Sequence, residues 1–281
     1  MTILQKIRII SRILILGGSG FIGNALYKEL APFYNVHATY KTENAGYESN
    51  QHFHWFDMEQ EEVDTLLHSL HPDFIISCVR GNVNSQLYLH NQLMNYVNKN
   101  NCRLIFLSSA NVFDRFTNFP SYEYDKTFSE SIYGRFKIKI ENALLRLPPQ
   151  KYVICRIPMI YGYNSPRLKA IKEQLLKKEA IEVFSNVVIN ATYIQKLTQQ
   201  IHYIINRRRR GIFHLGSNDL IHHSELVKDI AITIGFENPL LKHVFDSNDD
   251  RQLSVLPKDN LLPKHLQFTI DDVVKSCEKP A

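Results

Sequence analysis

The chain has 281 residues, a formal net charge of +5, and 44% hydrophobic, 11% aromatic and 22% charged residues. This composition excludes a disordered or fibrous protein and is typical of a globular protein that can bury a full core. The excess of positive charge favours anionic ligands in general, nucleotides included, without choosing among them.

The N-terminal segment and the cysteines predict a cytoplasmic protein. The segment MTILQKIRIISR is basic but lacks the apolar run and the small-residue cleavage site of a signal peptide. No apolar stretch approaches the roughly 20 residues of a membrane-spanning helix, so no membrane segment is predicted. Scattered cysteines predict reduced thiols, with neither a disulfide framework nor a metal site. They are Cys78, Cys102, Cys155 and Cys277.

Apolar strand patterns alternate with helical patterns through the first half of the chain. The strand patterns cover 13–16, 36–40, 53–56, 74–78, 104–108 and 153–157, and the helical patterns cover 21–30, 59–70, 87–98 and 133–147. Strands this apolar, separated by helices, are typical of a parallel sheet covered on both faces. The predicted fold class is therefore α/β, a doubly wound parallel sheet of the Rossmann type.

The pattern loosens after residue 160, where helices are predicted over 168–178, 193–206 and 224–234. We predict a dinucleotide-binding domain over 1–160. The remainder, 161–281, is predicted as a smaller, mainly substrate-binding lobe that returns some segments to the sheet and lies at the carboxyl ends of the strands. Four arginines at 207–210 are interpreted as a solvated helix end in preference to a nucleic-acid patch, so no nucleic-acid partner is predicted.

A strand pattern, closely spaced glycines and an amphipathic helix follow one another in RILILGGSGFIGNALYKEL. Gly17, Gly20 and Gly23 would permit a tight turn, the approach of a pyrophosphate to the backbone, and close packing of helix on strand. The N–H groups at the start of the helix, near Phe21 and Ile22, would face the phosphates. A simple tight turn is the alternative, because glycine-rich turns are common. The position between a strand and a helix favours the phosphate loop.

The end of the second predicted strand, VHATYKTEN, bears on the choice of cofactor. Lys41 stands near the position where an acidic residue would bind the ribose hydroxyls of NAD. A lysine suits a 2′-phosphate better, so NADP(H) is predicted as the preferred cofactor, with NAD(H) as the second choice. A surface lysine that never meets the cofactor is the other interpretation. Asp57 would lie beside the adenine, although an aspartate at a strand end is equally a helix N-cap.

Two Tyr–Lys pairs have the four-residue spacing that places both side chains on one face of a helix. On a helix, the ammonium favours the ionised phenol and brings its pKa toward the range that a general acid needs. Tyr122 and Lys126 lie in NFPSYEYDK, which is typical of a loop. Tyr133 and Lys137 open a segment with helical periodicity, so only this pair is predicted to be held rigidly. The preceding strand ends at Ser109, whose hydroxyl is placed to bind a substrate carbonyl, although serines end many strands.

The segments GGSGFIG, the serine before ANVF, YGRFK and RIPMIYG occur in the order and rough spacing of the extended short-chain dehydrogenase/reductases. Over nearly its whole length the chain resembles the dTDP-4-dehydrorhamnose reductase group of that family. The resemblance implies that the three glycines form the phosphate loop. It also implies that Ser109 and Tyr133 are catalytic, Tyr133 as proton donor. Lys137 would bind the nicotinamide ribose and lower the pKa of Tyr133. Pro158 would lie where the backbone passes beside the nicotinamide carboxamide.

The chain departs from the pattern of this family at four places, one of them Lys196, which stands just before Leu197 where an acidic residue is expected. Ala110 and Asn111 follow the catalytic serine where the family commonly has an acidic residue, which argues against dehydration and favours simple reduction. The loop RGNVNS is shorter than usual, which leaves the identity of the substrate open. Arg115 follows Asp114 in place of the frequent glycine.

The function implied by the resemblance is the NADPH-dependent reduction of a keto group, expected at C4, of a nucleotide-linked 6-deoxysugar, as in enzymes of surface polysaccharide biosynthesis. The expected partner is this nucleotide-sugar substrate, with no nucleic acid or membrane; a homodimer stays open. One alternative is a cofactor-binding regulatory subunit without turnover, because the β subunit of methionine adenosyltransferase resembles the same family. A sugar-nucleotide epimerase is the other. The shortened loop favours the regulatory subunit, and the complete Ser, Tyr, Lys set opposes it.

Overall fold

A computed structural model describes residues 10–115, 117–245 and 248–279. The segment MTILQKIRIISR, in which no signal peptide is predicted, lies outside the described residues except for its last three positions. The chain divides into two compact units, Met1–Ile105 and Phe106–Ala281. The predicted division after residue 160 separates cofactor binding from substrate binding, and it stays a prediction.

Strands and helices alternate through the first half of the chain, as predicted. The strands are β1 Arg12–Leu16, β2 Asn35–Tyr40, β3 Phe53–Trp55, β4 Phe74–Ser77, β5 Arg103–Ser109, β6 Tyr152–Ile157, β7 Met159–Tyr161, β8 Ile181–Phe184, β9 Val187–Ile189, β10 Ala191–Tyr193, β11 Gly211–His214, β12 Ile221–His222, β13 Leu241–Val244 and β14 Arg251–Leu253. The helices are α1 Phe21–Leu30, α2 Ala45–Glu48, α3 Asp64–Leu70, α4 Val83–Lys99, α5 Ile132–Leu144, α6 Pro166–Leu176, α7 Ile194–Asn206, α8 His223–Thr233 and α9 Ile270–Lys275. Short 3-10 helices cover Ala110–Phe113, Pro149–Lys151 and Lys264–Leu266.

Seven strands form one sheet in the order β11-β6-β5-β4-β1-β2-β3. The pairs β1–β2, β1–β4, β2–β3 and β6–β11 run parallel, so the predicted doubly wound class is confirmed. In the first unit, β1 lies between β2 and β4, which makes its carboxyl end the point where the strand order reverses. Ligands of open α/β sheets bind at such a point.

The later part of the second unit builds a core of its own around small sheets. These sheets pair β7 with β10, β8 with β13, and β9 with β12 and β14. Tyr161, Leu168, Val183, Leu226 and Val273 are among the buried residues of this core. The looser sequence pattern after residue 160 thus corresponds to short strands and helices around a separate apolar centre.

Some element boundaries differ from the predictions. The helix predicted over 59–70 begins only at Asp64, because the N–H groups of Gln60 and Glu61 donate to the Asp57 carbonyl and form a turn. The helix predicted to reach residue 147 ends at Leu144, four residues before Pro148, which cannot donate a helical hydrogen bond. The short helices α2 and α9 were not predicted.

Three other sequence interpretations concern the surface and the thiols. Arg207 directly follows α7 as its C-cap and is exposed, so the arginine run lies at a helix end as predicted. None of the four cysteines, all of which lie in the part of the chain that the structure describes, forms a disulfide bond. Among the described ranges of the chain, no helix is both long and apolar enough to cross a bilayer.

Candidate cofactor and catalytic sites

The glycine loop joins β1 to α1, and its own packing requires glycine. Gly17 has a φ of +80°, a conformation that residues with a Cβ rarely adopt. A Cβ at Gly23 would lie 2.2 Å from the carbonyl oxygen of Gly17. Glycine at these positions therefore lets α1 begin directly against the turn.

The N-terminus of α1 is open to an anion. Its N-cap, Gly20, makes no side-chain hydrogen bond, and the first turn, which holds Phe21 and Ile22, contains no acidic residue. Thr39 of β2 fixes the loop, since its hydroxyl oxygen accepts the Gly17 N–H at 2.8 Å. A helix start without a side-chain cap fits the phosphates of a dinucleotide, whose oxygens can accept the first N–H groups.

Lys41 and Asp57 form an ion pair just beyond β2 and β3. The Lys41 Nζ lies 3.0 Å from Asp57 Oδ2, with the lysine side chain 58% exposed and the carboxylate buried. A hydrogen bond from the Glu59 N–H, and then the Lys41 ammonium, lower the pKa of the Asp57 carboxyl, and the bond to Asp57 raises the pKa of Lys41. Asp57 is not the N-cap of a helix, because α3 begins at Asp64 with Val63 as its N-cap. The N-cap interpretation of Asp57 is therefore wrong.

Tyr133 and Lys137 lie on α5 and are brought together by it. Ser131 begins the helix by accepting the Gly134 N–H at 2.9 Å. The Lys137 side chain is 7% exposed, and its Nζ donates to the Leu107 carbonyl at 2.9 Å. The same Nζ lies 5.5 Å from the centroid of the Tyr133 ring, which is 49% exposed. A fixed ammonium thus stands beside a phenol that solvent or a ligand can reach.

Ser109 ends β5 and begins the 3-10 helix Ala110–Phe113. Its hydroxyl oxygen accepts the Asn111 N–H at 3.2 Å, and its proton is donated to Asn111 Oδ1 at 3.0 Å. A ligand carbonyl oxygen would replace Asn111 Oδ1 as the acceptor of this proton. Ala110 and Asn111 form the turn after Ser109, so the first turn of this 3-10 helix contains no acidic residue.

A buried ion pair anchors α5 two turns after Tyr133. Sequence reasoning missed this pair. Glu141, two turns after Tyr133, pairs with Arg156 of β6 at 2.8 Å, and these side chains are only 1% and 2% exposed. The Ser108 hydroxyl also donates to the Glu141 carboxylate. The pair therefore ties α5 to β6 and to the end of β5, one residue before Ser109.

His214 completes this buried network as a neutral ring. Its Nδ1–H donates to the Leu256 carbonyl at 3.0 Å, and its Nε2 lies 3.3 Å from Arg156 Nη1. Burial and then the Arg156 guanidinium lower the pKa of His214 to about 3. The imidazole thus accepts from the guanidinium without adding a second positive charge.

The other Tyr–Lys pair has a different environment. Tyr122 lies in a loop, as predicted, and its backbone N–H donates to Asp125 Oδ2 at 2.7 Å. The Nζ of Lys258 lies 4.8 Å from the centroid of the Tyr122 ring. Lys126 is exposed. The four-residue spacing alone does not create the arrangement seen on α5.

Pro158 and a cavity are further features of the second unit. Pro158 is buried between β6 and β7. A cavity of about 830 Å³ is lined by residues that lie between 113 and 128, among them Phe113, Phe128, Arg115 and Lys126. This volume is in the range of small-molecule sites. The segment between Ser109 and α5 therefore borders a space of ligand size.

The sheet order and the glycine loop define the class of protein, which is a doubly wound α/β protein with a glycine-rich turn at the point where the strand order reverses. The family model described as NAD dependent epimerase/dehydratase family matches residues 13–211, and the chain belongs to this family. The resemblance to the extended short-chain dehydrogenase/reductases predicted from the sequence is thereby confirmed.

Three known proteins illustrate what the chain is similar to. Methionine adenosyltransferase 2 subunit beta of Mus musculus is 26% identical over 269 residues, 84% of this chain and 76% of that protein. dTDP-4-keto-6-deoxy-D-glucose reductase of Streptomyces niveus is 33% identical over 115 residues, 40% of this chain and 39% of that protein. A crystal structure of dTDP-4-dehydrorhamnose reductase from Bacillus anthracis in complex with NADP has a TM-score of 0.72 at 19% identity, covering 95% and 96% of the two chains. At this identity, the structural likeness shows a shared fold.

Proposed function

We propose that this protein reduces the keto group, at C4, of a nucleotide-linked 6-deoxysugar with NADPH. The observation that carries the proposal is the Tyr133–Lys137 pair, with a buried Lys137 fixed by the Leu107 carbonyl and an accessible phenol 5.5 Å from its ammonium to the ring centroid. Such a pair is the device by which a phenol serves as a general acid near neutral pH. The similarity to sugar-nucleotide reductases supports the same choice of reaction.

Each residue of the set has one role in the proposed reaction. NADPH, when bound, supplies the hydride that reduces the carbonyl carbon. The Ser109 hydroxyl donates a hydrogen bond to the carbonyl oxygen, and Tyr133 donates its proton to that oxygen as negative charge develops on it. Lys137 stabilises the tyrosinate that remains, and the half-exposed phenol regains its proton from solvent. The product is an alcohol, and no leaving group departs.

The residues after Ser109 favour reduction over dehydration. Elimination requires a further acid and base beside the sugar, and neither Ala110 nor the Asn111 amide can serve. Asn111 instead accepts the hydroxyl proton of Ser109.

A regulatory subunit without turnover is the second candidate. The similarity to methionine adenosyltransferase 2 subunit beta extends over 84% of this chain. In addition, only Cys78–Asn82 separate β4 from α4, so the loop predicted to be shorter than usual in the family is short in the structure. The third candidate is a sugar-nucleotide epimerase, which the name of the family includes.

A panel of substrates separates the three candidates. Purified protein is incubated with NADPH and, in turn, dTDP-, UDP- and GDP-linked 4-keto-6-deoxysugars, while nicotinamide absorbance and sugar products are followed. We expect steady NADPH oxidation with a panel member, slowed by about 10²- to 10⁴-fold in Tyr133→Phe. NADPH binding without oxidation of any member would favour the regulatory subunit. Inversion of a sugar without net oxidation would favour the epimerase.

A substitution in the Lys41–Asp57 ion pair tests the proposed preference for NADPH. We expect Lys41→Met to weaken NADPH binding by roughly 10- to 100-fold, because a charge-assisted bond to the 2′-phosphate is lost. NADH binding should hold or improve, since the Asp57 carboxylate is released from Lys41 and can accept ribose hydroxyls. Calorimetry with both cofactors measures the ratio, and Lys28→Met, in the exposed last turn of α1, is the control. An equal effect of Lys41→Met on both cofactors would show that Lys41 does not bind the 2′-phosphate.

A further inference from the structure

Asp114 lies at the end of the 3-10 helix that Ser109 begins, and its carboxylate bridges to the segment before α5. We propose that Asp114 is a positioning residue that fixes the first turn of α5 and thereby the place of Tyr133. This inference rests on the proposed function only for the catalytic use of Tyr133. The bridge itself is a matter of the hydrogen bonds described below.

Both carboxylate oxygens of Asp114 accept hydrogen bonds from the segment before the helix. The buried Ser129 hydroxyl donates to Oδ2 at 2.8 Å, and the Glu130 N–H donates to Oδ1 at 2.8 Å. The Oγ atoms of Ser129 and Ser131 lie 3.1 Å apart, and Ser131 accepts the Gly134 N–H at 2.9 Å. Two hydroxyl groups, those of Ser129 and Ser131, therefore connect the carboxylate to the backbone of the first turn.

The hydrogen bonds between Asp114 and the first turn of α5 all run in one direction. Ser129 has one hydroxyl proton, and the carboxylate is its strongest acceptor, so the Ser131 hydroxyl donates to Ser129 Oγ. The order is then Gly134 N–H to Ser131, Ser131 to Ser129, and Ser129 to Asp114. Hydrogen bonds aligned in one direction polarise and strengthen one another. The negative charge at the end also complements the positive end of the helix dipole.

Gly134 shows how closely this turn is packed. A Cβ at this position would lie 2.3 Å from the Asn111 carbonyl oxygen and 2.0 Å from Ser129 Oγ. The first turn of α5 therefore rests on the same 3-10 helix that carries Ser109 and ends at Asp114. The bridge holds the two halves of the proposed catalytic set at a fixed separation.

Tyr133 depends on this bridge more than Lys137 does. Tyr133 is the second residue of α5, in the turn where helices fray. Lys137 lies one turn further and is held by Leu107, while Glu141 is held by Arg156. Loss of the bridge would therefore loosen Tyr133 and leave the rest of the helix in place.

Hydrogen exchange of the full-length protein tests the bridge without any need for turnover. Asp114→Asn has almost the same shape, but its amide nitrogen cannot accept the Ser129 proton. We expect the amides of residues 134–136 to exchange about tenfold faster, because a charge-assisted hydrogen bond is lost. Ser129→Ala should do the same. Asp125→Asn, which alters an exposed carboxylate of the same loop, should leave these amides unchanged.

Kinetics with a substrate from the panel test the catalytic consequence. We expect Asp114→Asn to lower kcat about tenfold while KM and the Kd of NADPH stay at the wild-type values. Added to Tyr133→Phe, the same change should cause no further loss, because both act through one phenol.

Two results would overturn the proposal. One is wild-type exchange of residues 134–136 in Asp114→Asn, and the other is faster exchange spread evenly over the protein, which would indicate global destabilisation. A wild-type protein that turns over no substrate would contradict the proposed function alone, since the exchange results would still decide the role of Asp114.

Discussion

Two segments of the second unit carry a tyrosine and a lysine four residues apart, and only one of them pairs the side chains. Tyr133 and Lys137 share a face of α5, and the lysine is buried against the Leu107 carbonyl. Tyr122 lies in a loop under the ammonium of Lys258, and Lys126 is exposed. Identical spacing thus gives a candidate acid in one segment and an ordinary surface loop in the other.

The difference lies in what surrounds each segment. The first turn of α5 is held by Ser131 and the Asp114 bridge, and its middle is held by the buried Glu141–Arg156 pair. The Tyr122 segment has a local turn closed by Asp125. The four-residue spacing gives a candidate catalytic pair only where neighbouring elements fix the helix. The substitutions below remove contacts of this kind one at a time.

The largest effect on stability is expected from the buried ion pair. Glu141→Gln leaves the Arg156 guanidinium buried without its carboxylate, and we expect a loss of about 3–5 kcal/mol in the free energy of unfolding. Urea denaturation measures this loss. The control is Glu130→Gln, because Glu130 pairs with Arg115 in an exposed ion pair and should cost less than about 1 kcal/mol. Equal losses in the two variants would mean that burial does not matter here.

A second effect is expected from pH, through His214. The pKa of the folded-state ring is lowered to about 3 from an ordinary value of 6.5, so the unfolded chain binds more protons between these values. Stability is therefore complete above pH 6.5 and falls as the pH drops toward 3. At pH 5 the loss from this residue is about 2 kcal/mol. His37, whose pKa is lowered to about 4 chiefly by burial, adds a loss of the same sign.

The slope of the unfolding free energy against pH, compared between wild type and a His214 variant, separates the contribution of His214 from that of the other histidines. The free energy of unfolding is measured from pH 7 to pH 5 for the wild type and for His214→Gln. We expect the variant to show a shallower slope whatever its stability at pH 7. Parallel slopes would show that His214 is protonated to the same extent in both states.

The smallest effect is expected from the helix caps. Ser131→Ala removes the N-cap of α5 and should cost about 1 kcal/mol. Ser165→Ala removes the N-cap of α6, which accepts the Leu168 N–H at 3.2 Å, and should cost about the same. Only Ser131→Ala should also lower turnover, because only α5 carries Tyr133. Similar turnover in both variants would argue against positional control of Tyr133 by its cap.

The parts of the site that the sequence predicts are those formed by neighbours in the chain. The turn and helix that contain Gly17 and Gly23 follow from glycine conformation and helical periodicity, and the same periodicity identified α5. Ser131 also carried a local signal, since a serine directly before an apolar helical pattern is a typical N-cap. These features need no knowledge of distant segments.

The supports of α5 could not be predicted in the same way. Glu141 meets Arg156 across 15 positions, and Asp114 meets Ser129 across 15 positions, with no fixed spacing to reveal either contact. Asp57 shows the opposite error, because a locally plausible N-cap is in fact paired with Lys41 and followed by a turn. Contacts between separate elements decide such residues, and they depend on tertiary packing.

The measurement that tests the central claim most directly is NADPH oxidation by two matched variants, Tyr133→Phe and Tyr122→Phe. Each removes one phenolic hydroxyl from a partly exposed tyrosine of the same unit. With a 4-keto-6-deoxysugar nucleotide that the wild type reduces, we predict a loss of about 10²- to 10⁴-fold for Tyr133→Phe and wild-type turnover for Tyr122→Phe. Wild-type turnover by Tyr133→Phe would contradict the assignment of the proton donor.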